Sequence, residues 1–134
     1  MGPSRYLRFN AVGVAGFVVQ LGVVYSLSYV ASGFSRTWYP LAITAIAVEA
    51  AVLHNFFWHE RWTWADRPSA GRARMARLGR FHLANGLVSI VGNLAVVAML
   101  AGFNPIAANA IAVLACSIVT FAAGDRLVFS PGPW

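Results

Sequence analysis

Glu49 is the carboxylate whose neighbours make it hardest to explain by solvation. It sits in the run Ile46-Ala47-Val48-Glu49-Ala50-Ala51-Val52, and a charge at the centre of a transmembrane helix costs roughly 2.5 to 3.5 kcal/mol on insertion scales. Such a group either couples to a proton or binds a polar group along a path through the helices, or stays neutral and ties helices together through Gln20 or Asn93. Burial would favour its protonated form. The second set of groups is cationic. Arg8, Arg61, Arg80 and Arg126 each stand where an apolar run begins or ends, close to aromatic residues. A guanidinium fork there suits bidentate contact with a phosphate, and up to four such groups could converge on one lipid phosphate. Glu60 and Asp125, each next to one of these arginines, are natural ion-pair partners. Asn55 either bonds a phosphate or an unwound backbone, or caps its helix.

Other chemistries find no support. His54, His59 and His82 lack a third ligand at metal spacing, so no metal site is expected, and no cofactor. Cys116 is the single cysteine, which excludes a disulfide framework. No nucleophile-and-base spacing or glycine-rich phosphate loop occurs, so enzymatic activity is not expected. The formal charge of +6 would point to nucleic acid in a soluble chain, but the arginines flank apolar runs. They read instead as orientation signals and lipid-phosphate contacts, which excludes a nucleic-acid partner.

Those groups need elements to hold them. With 59% hydrophobic and 10% charged residues in a chain of 134, the composition lies far from the soluble norm of about 25% charged. Four apolar segments stand out, at residues 11–32, 38–58, 81–100 and 105–123. Each matches the roughly 20 residues needed to cross hydrocarbon about 30 Å thick. The expected fold is therefore all-α, a polytopic membrane protein of four transmembrane helices in a single domain over residues 1–134, with a basic loop at 60–80. The first segment is too long for a signal-peptide core of about 7 to 15 residues, so it is expected to be retained. Turns are expected at residues 33–37 and 102–104, with Pro105 opening the fourth helix. Trp58, Trp62 and Trp64 read as interfacial anchors, as do His59 and His82.

Orientation follows from the arginines, because the chain has no lysine. Arg5, Arg8, Arg61, Arg67, Arg72, Arg74, Arg77, Arg80 and Arg126 share one side, leaving Arg36 on the other. The positive-inside rule then places both termini and the basic loop in the cytoplasm, in a multi-pass protein of the inner (cytoplasmic) membrane. The same bias favours parallel subunits in any homo-oligomer. Within the loop, residues 71–81 interleave arginines with Met75, Leu78 and Phe81. This segment is either a helix lying on the membrane surface before turning inward or a plain polar loop.

The halves also resemble one another. Arg8-Phe9 recurs as Arg80-Phe81, and Glu60-Arg61-Trp62-Thr63-Trp64 as Asp125-Arg126-Leu127-Val128-Phe129. Gly13, Gly16 and Gln20 recur one residue out of phase as Gly86, Ser89 and Asn93, each trio forming a small-plus-polar stripe suited to close helix contact. Two successive hairpins share one orientation, so the expected repeat is parallel.

Arg8-Phe9 with Gly13, the stretch Asn55-Phe56-Phe57-Trp58-His59-Glu60-Arg61-Trp62-Thr63-Trp64, and Arg80-Phe81 make the chain resemble the GtrA-like family. These are small four-helix membrane proteins associated with polyprenyl-phosphate-linked sugars and polysaccharide synthesis. The resemblance runs from residue 8 to 129. Where the family closes on an Asn-Phe pair near the end of helix four, this chain has Thr120-Phe121. The resemblance implies movement of a polyprenyl-phosphate-linked monosaccharide across the cytoplasmic membrane, with Arg8, Arg61, Arg80, Arg126 and Asn55 at the phosphate and Glu49, Gln20 and Asn93 easing the sugar's passage. The alternative is a nontransporting scaffold that recruits a membrane glycosyltransferase. A small proton-coupled drug exporter ranks third, because such exporters carry their carboxylate in helix one and the arginine bias opposes an antiparallel dimer.

Overall fold

A computed structural model describes residues 3–31, 39–88 and 105–130. Every regular element among them is helical. In chain order these are α1 (Pro3–Ala31), α2 (Tyr39–Trp58) with a single turn of π-helix (His59–Thr63), α3 (Gly71–Leu87), and α4 (Pro105–Ala123) with a second π turn (Gly124–Val128). The chain divides into two compact units, one ending at Ala65 and the other beginning at Asp66.

In the first unit, α1 and α2 run antiparallel, since Arg8 meets Trp62, Phe9 meets His59 and Gly16 meets Asn55. Phe9, Val12 and Gly16 are the buried residues of α1, at the i, i+3, i+7 spacing of one helical face. The small residues Ala47 and Ala51 provide the matching buried stripe on α2, and the same stripe continues to Asn55. A Cβ at Gly16 would lie 2.6 Å from Asn55 Cγ and 2.7 Å from its Nδ2, so only glycine lets the amide occupy that seam. Gly13, by contrast, is exposed, with nothing near its Cβ position. Of the expected small-residue stripe, Gly16 is the member in tight contact.

The outer face of α1 is apolar and open. Val14, Phe17, Val18, Tyr25 and Val30 are each more than half exposed, a pattern that suits hydrocarbon better than water. Among the described residues, α1 is long and apolar enough to cross a membrane. It begins at Pro3, earlier than the apolar run at residue 11, because proline is well accommodated in a first helical turn. Arg5 and Arg8 therefore project from helix and not from a flanking tail.

In the second unit, α3 begins at Gly71, whose φ of +54° is costly for any residue with a side chain, and continues without interruption to Leu87. Residues 71–81 are thus helical and not a polar loop, and no bend separates them from residues 82–87. Arg77 and Phe81 are the buried residues of α3, one turn apart on a single face. Phe121, Val128 and Phe129 complete the apolar centre of this unit. The expected turns at 33–37 and 102–104, together with Ser89 and Asn93, lie outside the described residues.

Candidate functional site

Both units end a long helix in the same way. After α2 the chain widens by one residue per turn, and Trp64 N–H donates to His59 O at 2.8 Å. After α4, Phe129 N–H donates to Gly124 O, also at 2.8 Å. This i→i+5 bond is the signature of a π turn, which is rare and frequent at functional sites. Each turn carries an acid and then an arginine, Glu60-Arg61 in the first and Asp125-Arg126 in the second.

An aromatic residue closes each turn and packs on a phenylalanine that follows an arginine in the preceding helix, Phe9 of α1 or Phe81 of α3. Phe9 and Trp64 meet edge to face with centroids 6.1 Å apart. Phe81 and Phe129 do the same at 6.2 Å. Offset edge contacts of this kind are favoured by the ring quadrupole. They place Arg61 and Arg126 on turns that are braced from one side while both arginines remain exposed.

The first turn is the more aromatic. The Arg61 guanidinium lies 4.3 Å from the Phe57 ring centroid, and that of Arg8 lies 5.8 Å from Trp62. Arg8 Nη1 also donates to Trp62 O at 3.3 Å. Arg8 and Arg61 are therefore assembled around one turn, both exposed. Trp58 and Trp62 are each more than 40% exposed, consistent with interfacial anchoring. Trp64 is not an anchor, because it is fully buried against Phe9 and His59.

His59 also departs from its expected interfacial place. It is 2% exposed, stacked on Phe9 at 4.8 Å and hydrogen-bonded through Nδ1 to Thr63 Oγ1 at 3.0 Å. Loss of hydration, with a smaller push from His54, lowers its pKa from 6.5 to about 3. The ring is neutral in any physiological compartment and acts as packing. A i, i+4 pair of His and Thr was the available signal in the sequence.

The second turn is held by guanidinium groups. Arg67 Nη1 donates to Asp125 Oδ1 at 2.9 Å, Asp125 O at 3.0 Å and Phe129 O at 2.9 Å. Arg77 Nη1 donates to Arg67 O at 2.7 Å, and its guanidinium lies 5.3 Å from the Phe129 ring centroid. Neither arginine is among the candidate phosphate ligands that the sequence offers. The i, i+4 spacing of Arg77 to Phe81 is a local signal of its place on the inner face; Arg67 has no local signal. Arg80 is half-buried on α3 beside Phe81.

Three expected site residues belong to the α1–α2 pair. Asn55 is half-buried in the seam against Gly16, with Oδ1 3.3 Å from His54 Nδ1, so it faces α1 and not a headgroup. Gln20 follows Gly16 by one turn and is half-buried, on the side of α1 that meets α2. Glu49 is exposed, two residues from Ala47 and Ala51 and therefore on the far side of α2 from α1. The α1–α2 seam is built from alanines, whose spacing excludes position 49. Glu49 and Gln20 are accordingly not brought together in this unit. Asn93 lies outside the described residues.

The pairing of a braced arginine turn with a helical Arg-Phe pair recurs between residues 8 and 129, and the family match covers the same span: residues 8–129 match the GtrA/DPMS transmembrane domain. The chain belongs to this family. It is accordingly a membrane protein. Among characterised proteins, it is similar to a dolichol-phosphate mannosyltransferase of Pyrococcus furiosus (strain ATCC 43587 / DSM 3638 / JCM 8422 / Vc1), 33% identical over 82 residues. That stretch is 60% of this GtrA/DPMS chain and 21% of the mannosyltransferase, so the chain spans about a fifth of that relative's length.

Proposed function

We propose that this GtrA/DPMS-domain protein moves a polyprenyl-phosphate-linked monosaccharide between leaflets of the cytoplasmic membrane. The observation that carries the reading is the pair of π turns, each presenting an exposed arginine, Arg61 or Arg126, beyond the end of an apolar helix. A guanidinium at that depth meets a lipid phosphate as a charge-assisted donor, while the isoprenoid tail stays in lipid. Arg8, near the start of α1, and Arg80, within α3, are further phosphate donors, each in its own unit. In this reading the two units are parallel hairpins crossing the membrane four times in all, with both termini and the loop at 60–80 in the cytoplasm. The chain is not itself an enzyme, and any homo-oligomer has parallel subunits. The sugar passes along polar groups that include Gln20 and Asn93, with Glu49 on the outer face of α2 reaching it from outside the α1–α2 seam.

Reconstituted vesicles holding this protein alone test the transport step. Transfer of a labelled polyprenyl-phosphate sugar between leaflets is expected to accelerate over protein-free vesicles, and Arg61→Gln and Arg126→Gln are each expected to weaken lipid-phosphate binding. Unchanged affinity in both variants would refute the arginine assignment.

A second reading is favoured by one observation. The similar mannosyltransferase has most of its length outside the matched stretch, so a membrane glycosyltransferase in a separate chain is a fitting partner, and this protein would anchor it. Vesicles in which leaflet transfer is not accelerated would favour that scaffold.

A further inference from the structure

A phosphate bound by Arg126 faces an electrostatic difficulty that the sequence does not reveal. The arginine stands beyond the C-terminal end of α4, where unsatisfied carbonyls amount to roughly half a negative charge, and its neighbour Asp125 adds a carboxylate. Both repel an anion. In the structure, these oxygens are occupied: Arg67 reaches Asp125 O, Asp125 Oδ1 and Phe129 O from a single Nη1 at 2.9 to 3.0 Å. Arg67 is itself oriented by Arg77, which donates to its carbonyl at 2.7 Å.

We infer that Arg67 is a positioning residue for phosphate capture, acting by neutralising the carboxylate and carbonyls of the second π turn so that Arg126 can take an anion. The inference rests on the reading of Arg126 as a phosphate ligand. Arg67 does not touch the phosphate in this scheme. Its guanidinium spans the turn from Asp125 to Phe129, the two residues that flank Arg126-Leu127-Val128, and so fixes the backbone from which Arg126 projects. In the first turn it is a guanidinium from α1 that bonds the turn backbone, Arg8 Nη1 donating to Trp62 O.

The test uses the full chain in phosphatidylcholine nanodiscs with a fluorescent polyprenyl monophosphate, and follows thermal loss of helix in parallel. Arg67→Gln is expected to weaken binding about tenfold, the scale of a partly buried charge beside a helix end. Adding Asp125→Asn to it is expected to restore most of the affinity while the thermal midpoint stays lowered, since the repulsion is gone but the brace is still missing. A residue with only a structural role would give no such separation of affinity from stability. Asp125→Asn alone, which retains an oxygen for Arg67, is expected to tighten binding about threefold, and it serves should Arg67→Gln not fold. Wild-type affinity in Arg67→Gln, a double variant no tighter than Arg67→Gln, or an Asp125→Asn protein that binds no tighter than wild type would each overturn the inference. Loss of binding in Arg126→Gln alongside such a result keeps the phosphate reading and removes Arg67 from it; unchanged binding in Arg126→Gln removes both.

Discussion

His59 is the residue whose surroundings most change what its type implies. A histidine at a membrane boundary invites a proton-relay reading, yet stacking on Phe9 and burial beside Trp64 hold its pKa at about 3. The sign of the consequence follows from linkage. The folded pKa lies below the ordinary 6.5, so the unfolded chain takes up the proton first, and stability that is complete above pH 6.5 declines as pH falls toward 3. Each unit in that window costs about 1.4 kcal/mol. The range from 6.5 to 5 lies above most carboxylate titrations and is the clean place to look. His59→Phe keeps a flat ring against Phe9, and its thermal midpoint in detergent is expected to vary less between pH 6.5 and 5 than that of the wild type. Equal slopes would contradict the buried-imidazole account. The seam at Gly16 shows the complementary case. Its small-residue spacing was legible, but which glycine meets a partner depends on the register of α2, and no pattern within α1 encodes that.

At the scale of the elements, the basic segment before Phe81 separates into two classes of arginine. Arg77 is 6% exposed and tied to Arg67 O and the Phe129 ring, whereas Arg72 is exposed on the same helix. Removing a buried, hydrogen-bonded guanidinium leaves its partners unsatisfied, so Arg77→Ala is expected to cost about 2 to 4 kcal/mol. Arg72→Ala is expected to change stability by no more than about 0.5 kcal/mol. Denaturant unfolding of the two variants in mixed micelles checks the contrast, and equal losses would undo the division. The apolar runs of α2 and α4 were legible because hydrocarbon demands length and composition together. The starts of α1 and α3 were not. Arginine is a good helix former, so helices extend past the apolar run into the basic sequence. The shared acid-arginine motif was readable as a repeat, but its π-turn geometry depends on Trp64 and Phe129 finding Phe9 and Phe81, contacts separated by tens of residues.

For the whole molecule, the family match supplies the membrane, and the arginine distribution supplies the proposed sidedness. Ser69 lies in the segment between the first π turn and α3. In a Cys116→Ala background, Ser69→Cys is expected to resist a membrane-impermeant maleimide in intact cells and to react after lysis. Reaction before lysis would reverse the orientation. The role of Glu49 shows why function was less legible than architecture: one carboxylate in an apolar run signals cost, but only the partner helix decides which way it faces.

The length of α1 carries a mechanical corollary. Its 29 residues make a rod of about 43 Å at 1.5 Å per residue, well beyond an average acyl slab of about 30 Å. A bilayer of different thickness is met by changing the inclination of such a rod. Phe9 of α1 packs on His59 and Trp64 at the two ends of the first π turn, so a lean of α1 is expected to carry the Arg61 turn with it, and membrane thickness becomes a variable that resets the depth of that guanidinium.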